Sequence, residues 1–253
     1  MPAYLRKSTI MKITSCLLFV FLAITSSSNA SVIIMGTRVI YPAQQKSINI
    51  QLSNNEAEPS LIQSWIDTGD SESAPDSVKV PFIINPPVFR IEPKSGQTLR
   101  ITYTQEKLPN NKESLFYLNV LDIPAKPKFD KDTKSENNNY LQLAIRSRIK
   151  FFFRPSNLKL SPLDAYKKVT WSLEQDSSQT FIKAENNTPY FITYNNIVIT
   201  LKEKRYSVES PGMVAPFTSI KFPLKNMLFN ADKVTWTVIN DYGGYQKGES
   251  VLK

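Results

Sequence analysis

The chain has 253 residues, 31 Lys and Arg against 22 Asp and Glu, and a formal net charge of +9. It contains no histidine, and its single cysteine is Cys16. These counts exclude Ser-His-Asp catalysis, histidine general bases, histidine metal sites, internal disulfides and cysteine metal centres. An all-carboxylate site is still compatible with the composition, but no pair of acids is framed by a motif. No nucleotide-binding loop is present.

The first thirty residues read as an export leader. Arg6, Lys7 and Lys12 precede the nine-residue apolar run CLLFVFLAI, Cys16 to Ile24. That run is too short to span a bilayer and is followed by Ser28-Asn29-Ala30, with small residues at −3 and −1 of a cleavage site. Cleavage there leaves 223 residues starting at Ser31. It removes three basic residues and no acidic ones, so 28 − 22 leaves a net charge of +6. A charge of that size favours anionic partners without pointing to nucleic acid.

From Ser31 onward, short alternating apolar runs are separated by Pro, Gly, Asn and Asp. SVIIMGTRVIYP, KSINIQLSN, SLIQSWIDTG, PFIINPPVFRIEP, QTLRITYTQ and SLFYLNVLDIP come first. They are followed by LQLAIRSRIKFFFRP, Leu141 to Pro155. About seven strands by Pro155 predict a β-sandwich. In the seventh, Leu141, Leu143, Ile145, Ile149, Phe151 and Phe153 share one phase, with Arg146, Lys150 and Arg154 on the other face. A straight strand would carry that apolar face for about 40 Å. It is either an internal core strand or a template on which another chain builds. The charged segment Ala125 to Tyr140, with Phe129 its one apolar aromatic of note, reads as a loop leading into it.

After Pro155 the pattern restarts. SNLKLSP reads as a linker and edge segment, followed by strands in VTWSLEQ, TFIKAEN, YFITYNNIVIT, MVAPFTSIKFPL and KVTWTVIND. No clean helical period is evident. The expected organisation is an all-β chain: a leader over 1–30, one sandwich over 31–155 and a smaller one over 156–253, divided at Arg154-Pro155-Ser156. The aromatics Tyr190, Phe191 and Tyr194 fit a sandwich core. An adhesive or carbohydrate-binding sandwich would instead expose such residues.

GTRVIYP (Gly36 to Pro42), Gln63-Ser64-Trp65, NPPVFRIEPKSGQTLRI (Asn85 to Ile101), LPNNKESLFYLNVLDIP (Leu108 to Pro124), LQLAIRSRIKFFFRP and INDYGG (Ile239 to Gly244) occur in this order. Together they resemble the periplasmic chaperones of the chaperone–usher pathway, the PapD-like family, over most of the chain. The resemblance implies two immunoglobulin-like domains in an L or boomerang arrangement and a non-enzymatic, cofactor-free function. Such a protein lends a strand to an incomplete pilus or fimbrial subunit in the periplasm and passes it to an outer-membrane usher, with no nucleotide and no nucleic acid involved.

Carried over by position, the basic pair that anchors the subunit's terminal carboxylate falls on Arg38 and Lys150. The donor side chains fall on Leu141, Leu143 and Ile145. An interdomain ionic cluster falls on Glu113, Arg154 and Asp241. The absence of cysteine after the leader and the short LQLAI pattern resemble the short-loop branch. The isomers of the Asn85-Pro86-Pro87 bonds, and whether the free protein pairs with itself to cover its edge, stay open at this level.

Overall fold

The computed structural model describes residues 32–75, 77–126, 141–176, 179–202, 204–225, 231 and 233–253. The leader expected over 1–30 lies outside the described residues, as do Ser31 and, from Pro127 onward, the loop expected over 125–140, Phe129 included. Among the described residues no helix is long and apolar enough to cross a membrane.

The first sandwich has two sheets. One has the order β1-β3-β7-β5, from β1 (Ile33–Ile34), β3 (Ser47–Ser53), β7 (Gly96–Tyr103) and β5 (Phe82–Asn85). The other has the order β2-β9-β8-β4-β6, from β2 (Arg38–Pro42), β9 (Ile145–Arg154), β8 (Ser114–Pro124), β4 (Ser60–Asp67) and β6 (Val88–Ile91). Alternate residues from the two inner faces form the core, as a two-layer sandwich requires. Tyr41, Leu52, Ile62, Leu99, Ile101, Leu118 and Phe151 are buried there. Phe82 packs its ring 4.8 Å from Phe151 and 5.0 Å from Phe116, centroid to centroid.

Two runs that read as single strands are divided between the sheets. SVIIMGTRVIYP becomes β1 and β2, separated at Gly36, whose φ of +123° favours a residue without Cβ. PFIINPPVFRIEP becomes β5 and β6, separated at Pro86-Pro87, where two successive residues lack the N–H a ladder needs. The Asn85–Pro86 bond is cis.

The long seventh strand is also shorter than its alternation suggests. β9 begins at Ile145, so Leu141 and Leu143 precede it. Its neighbour β8 pairs Asp122 with Ile145 and runs only to Pro124. Pro124 has no N–H to donate to a longer ladder, and its carbonyl accepts instead from the Gln142 side chain at 2.6 Å.

The second sandwich packs β10 (Thr170–Gln175), β11 (Thr180–Asn186) and β15 (Thr218–Leu224) against a second sheet. That sheet has the order β13-β12-β16-β17, from β13 (Lys204–Ser207), β12 (Ile192–Leu201), β16 (Lys233–Ile239) and β17 (Tyr245–Val251), with β14 (Met213–Val214) also on β12. MVAPFTSIKFPL is thus a third run shared between sheets. Trp171, Ile182, Ile192, Ile197, Ile199, Val234 and Trp236 fill this core. Tyr190 and Tyr194 are buried too, at 4% and 3% exposure, so they offer no aromatic surface for a sugar.

The linker SNLKLSP leads into one short helix, α1 (Pro162–Lys167). The Ser161 hydroxyl accepts from the Asp164 N–H, and Pro162 occupies the first turn, where its missing N–H costs nothing.

Candidate functional site

β9 is a strand with two different edges. On one side, Ile145 to Phe153 pair antiparallel with β8. On the other, β2 pairs parallel, but only from Arg38 opposite Lys150 to Pro42 opposite Arg154. No described strand covers the second edge from Ile145 to Ile149. At its start and just upstream, Ile145, Leu143 and Leu141 are exposed at 48%, 61% and 82%. Three large apolar side chains beside an unpaired edge are an aggregation hazard that most proteins avoid.

The open edge ends at a cationic pair. In a parallel ladder, register partners share a face. Val39 and Tyr41 of β2 and Phe151 and Phe153 of β9 point into the core. Arg38 and Lys150 therefore emerge together on the opposite face, towards the second domain. The Arg38 guanidinium donates to the Ile239 carbonyl at 2.9 Å, while its buried Nε has no partner. Lys150 donates to the Thr193 hydroxyl at 3.2 Å. Neither cation forms a salt bridge to a described carboxylate. Burial, and then the charge of Arg38, pull the Lys150 ammonium down to about 8. Burial likewise pulls Arg38 below its ordinary value. Two half-buried cations with unfilled donors can receive an anion, and a carboxylate has two oxygens, one for each.

Glu113, Arg154 and Asp241 meet where the domains join. Arg154 Nε donates to Glu113 Oε1 at 2.7 Å, and its two terminal nitrogens fork onto Asp241 at 2.7 and 2.8 Å. Arg154 leaves β9, Glu113 precedes β8, and Asp241 follows β16 in the second domain. The Phe191 N–H donates to the other oxygen of Glu113 at 2.9 Å, and Phe191 packs its ring 5.8 Å from Phe152. Burial raises the Glu113 carboxyl despite the opposing Arg154 charge.

The end of β16 and the turn after it reach both groups. Ile239 supplies the carbonyl for Arg38, and Asp241 the carboxylate for Arg154. Gly243, at φ +81°, lies so close to Thr37 that a Cβ there would meet its hydroxyl at 2.3 Å. Glycine at 243 thus lets the second domain seat directly beside Arg38.

The structure therefore brings Arg38 to Lys150 and brings Glu113 and Asp241 to Arg154. Leu141 and Leu143 sit upstream of β9, and Ile145 is its first residue. Sequence reasoning missed Thr193, the partner of Lys150 from the second domain. A threonine at the start of an apolar strand carries no signal of its own. It also missed Asp67, although an acid closing the apolar run SLIQSWID is a visible anomaly.

A pair of β-sandwiches with a cationic cleft and an open strand edge is a defined class of protein, and comparison with known proteins places it further. The family described as pili and flagellar-assembly chaperone, PapD N-terminal domain, matches residues 31–159. The family described as pili assembly chaperone PapD, C-terminal domain, matches residues 164–250. Chaperone protein HifB of Haemophilus influenzae is 44% identical over 228 residues, covering 90% of each chain. The probable fimbrial chaperone YadV of Escherichia coli is 41% identical over 245 residues, covering 95% of this chain and 98% of that one. Among solved structures, the CupB2 chaperone of Pseudomonas aeruginosa matches with a TM-score of 0.73 and 36% identity, covering 87% of this chain and 100% of its own. The SafB chaperone of Salmonella enterica, solved in complex with the SafA pilin, matches with a TM-score of 0.72 and 26% identity, covering 90% of this chain and 99% of that chain. The chain belongs to the PapD family of pili assembly chaperones.

Proposed function

We propose that this protein works in the periplasm as a non-enzymatic chaperone. It holds pilus or fimbrial subunits by lending them β9 and passes them to an outer-membrane usher. The observation that carries this reading is the abrupt end of the open edge of β9 at Arg38 and Lys150. A strand laid along Ile145–Ile149 runs into β2 at Arg38. If its carboxyl terminus meets the two cations, it must run in the same direction as β9. The carboxylate then fixes the register, and a slip of one residue would turn every apolar side chain to the wrong face.

Main-chain hydrogen bonds along the edge supply general affinity, and alternate side chains supply fit. Leu141, Leu143 and Ile145 each contribute roughly 1.5 to 3 kcal/mol when fully buried, before ordering costs. Their exposure in the free protein supports a role as donor side chains. The domain join at Glu113, Arg154 and Asp241 holds the cleft at a fixed angle. The absence of any cysteine beyond Cys16 favours the short-loop branch of the family. No ATP is required, because a subunit strand that fits better can displace β9.

The test is co-expression with the cognate subunit and recovery of the complex. Wild type is expected to give a one-to-one complex. Ile145→Asp is expected to lose it while folding normally, since the side chain is half exposed in the free protein. Undiminished recovery with Ile145→Asp would overturn strand donation.

A further inference from the structure

The unpaired half of β9 is held by a network on its other face. Arg146 and Arg148 point away from Ile145, Ser147 and Ile149, because side chains alternate along a strand. Both guanidiniums reach across β8 to Asp67 on β4, which is fully buried. Arg148 forks onto Asp67 at 2.6 and 3.0 Å. Asn119 of β8 donates to Asp67 at 2.7 Å and accepts from Arg146 Nε at 3.0 Å. The Gly69 N–H adds a bond to Asp67 at 2.7 Å, and Arg146 Nη2 lies 3.7 Å from the carboxylate. Arg146 also donates to the Ser71 carbonyl at 2.6 Å. The guanidinium carbons sit 4.7 Å from the Trp65 ring centre for Arg146 and 3.7 Å from the Tyr117 ring centre for Arg148.

This arrangement is specific in its placement. Arg146 and Arg148 lie within the segment that has a strand partner on one side only. Edges paired on one side open at low free energy, and a segment that must be ordered on binding loses affinity in proportion. Phe151 to Phe153 have β2 on the second edge and the core beneath them, and the ionic network at Arg154 joins the two domains. Burial raises the Asp67 carboxyl, but its bonds to Arg148, Asn119 and Gly69 outweigh this and hold it below the usual carboxylate range.

We propose that Asp67 is a positioning residue for strand donation: through Arg146, Arg148 and Asn119 it keeps Ile145–Ile149 flat and in register before a subunit arrives. The inference rests on the chaperone reading above for its purpose, but its first readout does not. Amide hydrogen exchange is measured on the free full-length protein, wild type against Asp67→Asn. The amides within Ile145–Ile149 that bond to β8 are expected to exchange at least ~10-fold faster in the variant, with β3 and β7 of the facing sheet unchanged. Affinity for a synthetic peptide of alternating valine and threonine with a free carboxyl terminus is expected to fall about 10-fold. If Asp67→Asn does not fold, Arg146→Gln, at a partly exposed side chain, is expected to show the same pattern more weakly. Unchanged exchange at Ile145–Ile149 would overturn the proposal. So would a uniform rise across the first domain, which would mark ordinary loss of stability, or faster edge exchange with unchanged peptide affinity. Failure of the wild type to bind the peptide, with the edge loosened in the variant, would instead count against strand donation itself.

Discussion

Replacing Lys150 by methionine is expected to abolish productive subunit capture while leaving the free protein at least as stable as wild type. The first effect follows from the anchor. Removing one partner of a half-buried carboxylate–cation contact costs about 2 to 5 kcal/mol, or roughly 30- to 4000-fold in affinity. The second follows from the environment of the free cation. Lys150 lies beside Arg38 with no salt bridge to a described carboxylate, and its ammonium has been brought down to about 8 from 10.5. Below pH 8 both folded and unfolded chains hold that proton, and the penalty for charging Lys150 in the fold is present in full. Between about pH 8 and 10.5 the unfolded chain holds more of the proton than the native one, so this contribution to stability rises with pH. Subunit affinity should move the opposite way, because a carboxylate requires the charged lysine. Thermal melts and binding isotherms from pH 7 to 10 check both slopes. A wild type that becomes less stable across this window while Lys150→Met does not, or an affinity that rises, would contradict the account of the site.

Arg154→Ala is expected to be the most destabilising single change at the domain join. Glu113 is 3% exposed and would keep only the Phe191 N–H. Breaking a buried ion pair from one side costs about 3 to 5 kcal/mol, because the remaining charge has neither water nor partner. For a chain of this size that corresponds to a fall in Tm of roughly 6 to 20 °C. The Glu113 carboxyl is already raised by burial, and without Arg154 it protonates more readily. The deficit should therefore shrink as pH falls and the carboxyl becomes neutral. Glu113→Gln in the Arg154→Ala background should recover part of the loss at neutral pH. Calorimetry should also resolve two transitions where the wild type shows one, since Arg154 is bonded to both domains. A Tm within two or three degrees of wild type would show that the cluster is only a solvated surface contact.

Period-two alternation made most strands of both sandwiches legible, since each has one buried face. It failed where a strand has no buried face to advertise. β13 (KRYS) and β17 (YQKGESV) are the edges of their sheet, largely exposed and rich in polar residues. α1 spans six residues, too few for a helical period to show. Alternation also does not record a change of sheet, so three runs were divided at Gly36, at Pro86-Pro87 and at Ala215-Pro216. In LQLAIRSRIKFFFRP the alternation continues upstream of Ile145 although no ladder does. The apolar phase there is written for a surface that the isolated chain lacks.

The site divides in the same way. Arg38 and Lys150 lie 112 positions apart, and nothing local in the sequence links them; resemblance to known chaperones singled them out, and the parallel pairing of β2 with β9 sets them opposite each other. Thr193 and Gly243 act through contacts between domains, which no local pattern encodes. Arg146 was visible on the polar face of the long strand and Arg148 shares its phase, but the acid they meet lies two strands away.

Strand donation requires that a partner strand complete the open edge of β9 in one register set by its carboxyl terminus. It is tested most directly by disulfide mapping. Cys16 is the only cysteine and lies in the expected leader, so Ser147→Cys places one thiol on the edge. Single cysteines are then stepped through the last strand of the subunit. The account predicts cross-links only at alternate positions, at a fixed distance from the subunit's carboxyl end. Cross-links of equal yield at adjacent positions, or none in that strand, would contradict it.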